Sequence, residues 1–366
     1  MILNSLSIFH YRNIDELSFD CNESLNCLVG KNGVGKTNVL DAIYYLSFCK
    51  SNVLANDAMN IKHDESSFII QGTYNIDEAL VKVSCAYEQV NKQKVVKCNE
   101  QKYTRFSDHI GLIPIVFVSP NDVLLINEGG AERRKFLDAF ISMYNHEYFS
   151  NLLTYNKLLQ QRNSLLKQEQ AIDETYLSII DEKLSILGYA IYEERKKAVQ
   201  ELSQLTKKFY SEISTTEECS ISYISQLHQG NMKEMLAKSI ERDKYLTYTN
   251  VGIHRDDLQF YFNENLIKNV ASQGQRKSFL LALKFAQYQL ITEFKNGQKP
   301  ILLLDDLFDK LDQDRAKNIF DMIDRQNFGQ IFITETDKIM LQAVFEQRKG
   351  DGAFWQVTDG GVIQKL

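Results

Sequence analysis

The chain has 366 residues, 44% hydrophobic and 25% charged, which is material for two or three domains and the composition of an ordinary folded soluble protein. Its net charge of −6 argues against a protein basic throughout, although a local basic stripe could still meet nucleic acid. The start MILNSLSIFHYRNIDEL has no charged segment leading into an apolar run, and no apolar stretch approaches the ~18 residues of a membrane span, so a cytoplasmic protein without a membrane partner is expected.

Up to about residue 118, short β-like runs alternate with turns at 3–10, 68–74, 80–87, 94–98 and 113–118. Within this stretch the octet GKNGVGKT, from Gly30 to Thr37, fits G-x-x-x-x-G-K-[ST]. Gly30, Gly33 and Gly35 let the backbone curl, and the N–H groups of Lys31, Asn32, Val34 and their neighbours can then point inward at phosphate oxygens. Lys36 would reach the β and γ phosphates, and Thr37 would ligate Mg²⁺. A strand expected at 24–29 precedes the octet, and a helix expected at 37–48 follows it, with its N-terminus aimed at the phosphate. The six cysteines (Cys21, Cys27, Cys49, Cys85, Cys98, Cys219) form no C-x-x-C pair and read as reduced thiols.

From 131 to 213 there is no proline, and the apolar residues follow a 3–4 rhythm. Ile141, Tyr144, Tyr148, Leu152, Tyr155, Leu159 and Leu166 form one stripe; a second runs from Ile180 to Phe209. Two amphipathic helices turning back on each other near 167–175 are expected, each covering the other's stripe. Arg133, Arg134 and Lys135 are flanked by Glu132 and Asp138, and His254-Arg255 by Asp256-Asp257. The balance of charges favours a charged helix face for the first cluster, and for the second an internal network joining this lobe to the remainder.

After residue 245 the α/β character returns, with a helix expected at 275–294 and strands at 301–304 and 330–334. The run PILLLDD reads as a buried strand whose carboxyl end carries two aspartates, where ligands of parallel sheets collect. Asp305 is placed to hold Mg²⁺ with Thr37, and Asp306 to polarise an attacking water. Before this strand, Ser272-Gln273-Gly274-Gln275 opens a helix: Ser272 is a good N-cap, and the exposed N–H groups of the first turn make an anion site.

The order phosphate loop, S-x-G-Q signature, acidic strand resembles the ABC-type ATPases, in which the signature of one subunit closes on ATP held by the other. More closely, the chain resembles the RecF family of bacterial recombination mediators, relatives of the SMC proteins. The stretches that carry this resemblance are YRN at 11–13, SPNDVLLINEGGAERRKFLD at 119–138, GIHRDDL at 252–258 and LLLDDLFDKLD at 302–312. It departs from the family at Gly129-Gly130 and Ile253, where a proline is usual, and at 50–52, where an arginine is common.

The resemblance implies an α/β fold: an ABC-type P-loop ATPase head with an inserted α-helical lobe. The core is divided into 1–118 and 246–366, with the lobe at 119–245. It implies ATP and Mg²⁺ as cofactors, weak DNA-stimulated hydrolysis to ADP and phosphate, and nucleotide contacts from Arg12 and Asn13. It places the loop that crosses the dimer interface at Leu311-Asp312, and Thr334-Glu335-Thr336-Asp337 where transporters carry a histidine. The implied partners are a second copy of the chain in an ATP-dependent homodimer, double-stranded or gapped DNA and its single-strand/double-strand junctions, and the RecO–RecR mediator, the outcome being help in loading recombinase. An alternative from the same group is an ATP-gated regulator of a nuclease or defence effector, which would need an effector domain. Chromosome-structuring SMC proteins need far longer heptads, and a small-molecule kinase would lack the signature.

Overall fold

A computed structural model describes residues 1–168, 173–214, 218–306, 313–336, 351–361 and 363–365. The chain divides into two compact units, one of Met1–Val123, Glu212–Ser214 and Gln273–Leu366, the other of Leu124–Ser211 and Thr215–Ser272.

The first unit carries two six-stranded sheets among the described residues. One is antiparallel throughout, in the order Ile14–Asp20, Ile2–Tyr11, Ser67–Ile76, Ala79–Glu88, Gln93–Cys98, Gln101–Lys102. The other runs Ile363–Lys365, Ala353–Val357, Leu25–Val29, Ile331–Glu335, Ile301–Asp305, Ile115–Val118, parallel except at its first pair. Four neighbouring strands of this second sheet, LNCLV, IFITE, ILLLD and IVFV, are buried at every position. Such continuous burial is what a parallel sheet covered on both faces demands.

Helix Lys36–Phe48 packs against strands of both sheets and is therefore buried nearly all round, from Val39 through Phe48. It begins at Gly35 and ends where Cys49, at φ 53°, donates its N–H to the Tyr45 carbonyl. Helix Gln273–Phe294 buries a continuous run from Ser278 to Tyr288. Strands Ile14–Asp20 and Ala353–Val357 have no counterpart in the sequence expectations.

In the second unit the expected stripe from Ile141 to Leu166 is two helices, Gly130–Ser142 and His146–Leu166. Asn145 breaks it, accepting the Tyr148 N–H with its side chain as an N-cap. The second stripe is a single helix of 40 residues, Glu174–Ile213. It runs antiparallel to His146–Leu166: Asn145 meets Glu194 near one end, and Arg162 meets Asp181 near the other. Residues 169–172 of the expected turn lie outside those described.

Sequence boundaries that assign 246–272 to the ATPase core differ from this grouping. Strand Asp257–Phe262 pairs antiparallel with Cys219–Ile224, so the segment forms a three-stranded sheet with Asn265–Leu266 inside the second unit. The internal ion network joins residues of 119–245 to residues of 253–257, all within this unit. Arg133 grips Asp257 at 2.7 and 2.9 Å, and Arg134 donates to the Asp256 carbonyl. Arg195, 1% exposed, binds Asp138, Asp256 and the Ile253 carbonyl. The buried Arg195 guanidinium is paired on several sides, as an ion removed from water must be. Lys135 remains on the surface with Glu132.

Candidate nucleotide site

Strand Leu25–Val29 leads into the loop Gly30–Thr37 of the first unit. Gly33 and Gly35 take φ of +85° and +112°, a left-handed region that costs an L-residue ~1–2 kcal/mol. A Cβ on Gly30 would lie 2.4 Å from the carbonyl oxygen of Val357, and one on Gly35 2.8 Å from Asn13 Oδ1. The strand Ala353–Val357 and the β-turn at Asn13 thus press on the loop at Gly30 and Gly35, where a side chain would clash.

Asn13 fixes that loop, donating to the Gly33 carbonyl at 3.1 Å and accepting from Asn38 Nδ2 at 2.7 Å. Lys31, Asn32 and Gly33 stand exposed at the tip, while Val34 is buried beneath. The Lys36 ammonium folds back to donate to the carbonyls of Gly30 (2.7 Å) and Lys31 (3.0 Å). Burial lowers its pKa, opposed by the carboxylates of Asp306, Asp305 and Glu335. A cation, a helix N-terminus and a ring of backbone N–H groups converge here, the chemistry that receives a polyphosphate.

The second half of the site comes from strand ends 268 residues away. Thr37 Oγ1 donates to both carboxylate oxygens of Asp305, at 3.0 and 2.9 Å. Asp305 is 4% exposed; burial pushes its pKa up, against hydrogen bonds from Thr334 and Thr37 and the charge of Lys36. Thr334 lies opposite it in the adjacent parallel strand and donates at 2.7 Å. The same hydroxyl accepts the Asp306 N–H at 3.1 Å. Asp306 sits at φ 45°, and its carbonyl accepts from Lys277 of helix Gln273–Phe294 at 3.0 Å. A threonine hydroxyl beside a carboxylate is a hard oxygen donor set, which fits Mg²⁺.

Arg12 is placed behind the loop helix. Its guanidinium pairs with Asp41 at 2.7 Å and donates to Asn38, Ser51 and Asn60. Asp41 is fully buried and also accepts from Tyr11, Ser51 and the Asn52 N–H. Asp41, Asn38 and Lys277 did not emerge from the sequence; their signal is position on the helix faces that flank the two motifs. Ser272 is exposed immediately before helix Gln273–Phe294, and Gln273, Gly274 and Gln275 form its first turn. Leu311, Asp312 and Asp337 lie outside the described residues.

This constellation on this sheet is an ABC-type P-loop ATPase head with an inserted helical lobe. The Smc head bound to the C-terminal winged-helix domain of ScpA shares the fold at a TM-score of 0.57 and 16% identity, covering 100% of this chain and 98% of that one. A family model described as "AAA domain, putative AbiEii toxin, Type IV TA system" matches residues 25–88.

Sequence relatives are more specific. "DNA replication and repair protein RecF" of Parabacteroides distasonis is 42% identical over 364 residues, 99% of each chain. The protein of the same name from Flavobacterium johnsoniae is 42% identical over 348 residues, 94% of this chain and 96% of that one. The solved structure of the recombination mediator protein RecF-ATP in the RecFOR pathway superposes with a TM-score of 0.89 at 33% identity, covering 100% and 97%. The chain belongs to the RecF family of DNA replication and repair proteins. Among the described residues, no helix is long and apolar enough to cross a membrane.

Proposed function

We propose that this chain is an ATP-dependent DNA-binding ATPase of recombinational repair, closing as a dimer on ATP and opening on slow hydrolysis. One observation carries the reading: Thr37 of the phosphate loop and Asp305 of the acidic strand already meet at 2.9 Å, beside Lys36. Thr37 and Asp305 would hold Mg²⁺, which would supply positive charge against the phosphates. Lys36 exchanges the carbonyls of Gly30 and Lys31 for phosphate oxygens. Asp306, one residue past the metal carboxylate, accepts the proton of the attacking water as general base. Gly30, Lys31, Asn32, Gly33, Val34 and Gly35 supply N–H groups to the phosphates, and Arg12 and Asn13 brace the loop from behind.

The relatives are named for DNA replication and repair, and the solved neighbour is named with ATP. Carried to this chain, these names support ATP as the nucleotide and DNA as the partner; duplex or gapped DNA is the form this reading assigns. Ser272, Gln273, Gly274 and Gln275 then face the γ-phosphate held by a second copy, where the positive end of a helix dipole attracts an anion. RecO and RecR are the protein partners, and the cytoplasm is the setting. Sedimentation velocity with and without ATP and gapped DNA tests the reading. A dimer that forms with ATP and persists on gapped DNA supports it; a species unchanged in all conditions overturns it.

A further inference from the structure

The helix Met232–Leu246 of the second unit presents Lys238, Arg242 and Tyr245 at i, i+4 and i+7, on one solvent face. Tyr245 is 87% exposed, so its ring contributes little to the core. Of the three anions of this helix, exposed Glu234 lies one turn before Lys238 on the same face, and the other two are engaged. Glu241 is held by Lys244 at 2.9 Å, and Asp243 is buried against Arg162 at 2.6 Å. Among the described residues Lys238 and Arg242 have neither an ion pair nor a side-chain hydrogen bond. Past the helix, Thr247 turns the chain at φ 61°, and Tyr248 follows, 41% exposed. The Arg255 guanidinium lies 4.9 Å from its ring centroid, with its NH2 donating to the Thr249 carbonyl.

Resting on the DNA-binding reading above, we propose that this surface is a contact for single-stranded nucleic acid. Lys238 and Arg242 take two backbone phosphates, and the Tyr245 ring stacks on an unpaired base. Tyr248, backed by Arg255, is a second plate. The choice of a single strand follows from the rings. Bases of a duplex spend their faces on each other and show only edges, whereas an unpaired base offers the face an exposed tyrosine can cover. Cations beside an exposed aromatic ring are the pairing that sequence-tolerant single-strand sites use.

The test is fluorescence anisotropy of the full chain, with ATP and Mg²⁺, on labelled oligothymidylate and on a blunt duplex of equal length. Tyr245→Ala is expected to weaken oligothymidylate binding by about 5- to 150-fold, and Tyr245→Phe, which keeps the ring, by less than about twofold. Duplex binding stays with the parent in both. Arg242→Gln is expected to reduce the slope of log affinity against log salt on the single strand by about 0.7. Tyr245→Ala binding oligothymidylate as the parent does, losing both ligands equally, or matching Tyr245→Phe would overturn the proposal. So would a parent that holds duplex but no single strand, which leaves the DNA-binding reading standing; a parent that holds neither overturns both. Because Tyr245 is solvent-exposed, the variants keep the parent's thermal unfolding, which is checked alongside.

Discussion

Thr334 donates its hydroxyl to Asp305 at 2.7 Å from the adjacent parallel strand, and the same oxygen accepts the N–H of Asp306 at 3.1 Å. One side chain thus fixes both the carboxylate facing Thr37 and the backbone of the residue assigned as general base.

Thr334→Val keeps the volume but leaves a buried carboxylate short of a donor and the Asp306 N–H short of an acceptor. We expect a loss of about 1–3 kcal/mol in unfolding free energy, read by urea titration, and slower phosphate release. Thr334→Ser should recover most of both. If the valine variant hydrolyses ATP at the parent rate, the bridge has no part in positioning Asp306.

Lys36→Ala should abolish ATP binding, ATP-dependent self-association and DNA retention without unfolding the chain. The ammonium's protein partners are two loop carbonyls, of Gly30 and Lys31, while its charge is suited to phosphates. Equal ATP affinity in variant and parent, by equilibrium dialysis, would remove the phosphate-loop assignment.

Asp306→Asn should retain Mg·ATP and slow hydrolysis, because an amide fills the same volume and cannot accept a proton. Its backbone contacts to Thr334 and Lys277 are unaffected by the change. The dimer should therefore persist longer on DNA, measured as a slower off-rate. Unchanged turnover would pass the role of base to another group.

The phosphate loop, its strand and helix, and the acidic strand were legible because each is announced by a local pattern: glycines at fixed offsets, a 3–4 rhythm, an unbroken apolar run. The meeting of Thr37 with Asp305 was legible from motif order. Strand Ile14–Asp20 was not, since its burial falls on Ile14, Leu17 and Phe19 with two exposed residues interrupting strict alternation. The break at Asn145 was hidden because apolar spacing continues across it, while the cap is a side-chain event. The pairing of Asp257–Phe262 with Cys219–Ile224 was not legible, because a long-range strand contact leaves no local pattern. The bond between Arg12 and Asp41 was equally out of reach, as no spacing rule joins a hairpin turn to a helix face.

His254 gives a pH signature of the second unit. Burial pushes its pKa down from 6.5 to about 4, with its ring held between the Tyr155 hydroxyl and the Thr249 carbonyl. The unfolded chain binds a proton near 6.5 that the folded one refuses, so its stability contribution is full above that pH and is lost as pH falls toward 4. Between pH 7.5 and 5 the parent should lose about 2 kcal/mol more unfolding free energy than His254→Gln does. Parallel pH profiles for the two proteins in urea unfolding would show the histidine to be charged or solvated in the folded state.

The composite site is tested by Ser272→Arg. Ser272 is exposed, directly before helix Gln273–Phe294, so the bulky cation is tolerated by the monomer while it disturbs the helix start that a second copy must present. ATP binding to the monomer should survive, and ATP-dependent dimerisation should fail. Mixed with Lys36→Ala, it should regain one composite site per dimer, formed by the intact loop of the Ser272 variant and the intact signature of the Lys36 variant. Each protein alone and the mixture are compared by sedimentation with ATP. If Ser272→Arg dimerises as the parent does, the nucleotide is enclosed within one chain; the ATP-closed clamp then gives way to an ATP-binding regulator whose partner lies elsewhere.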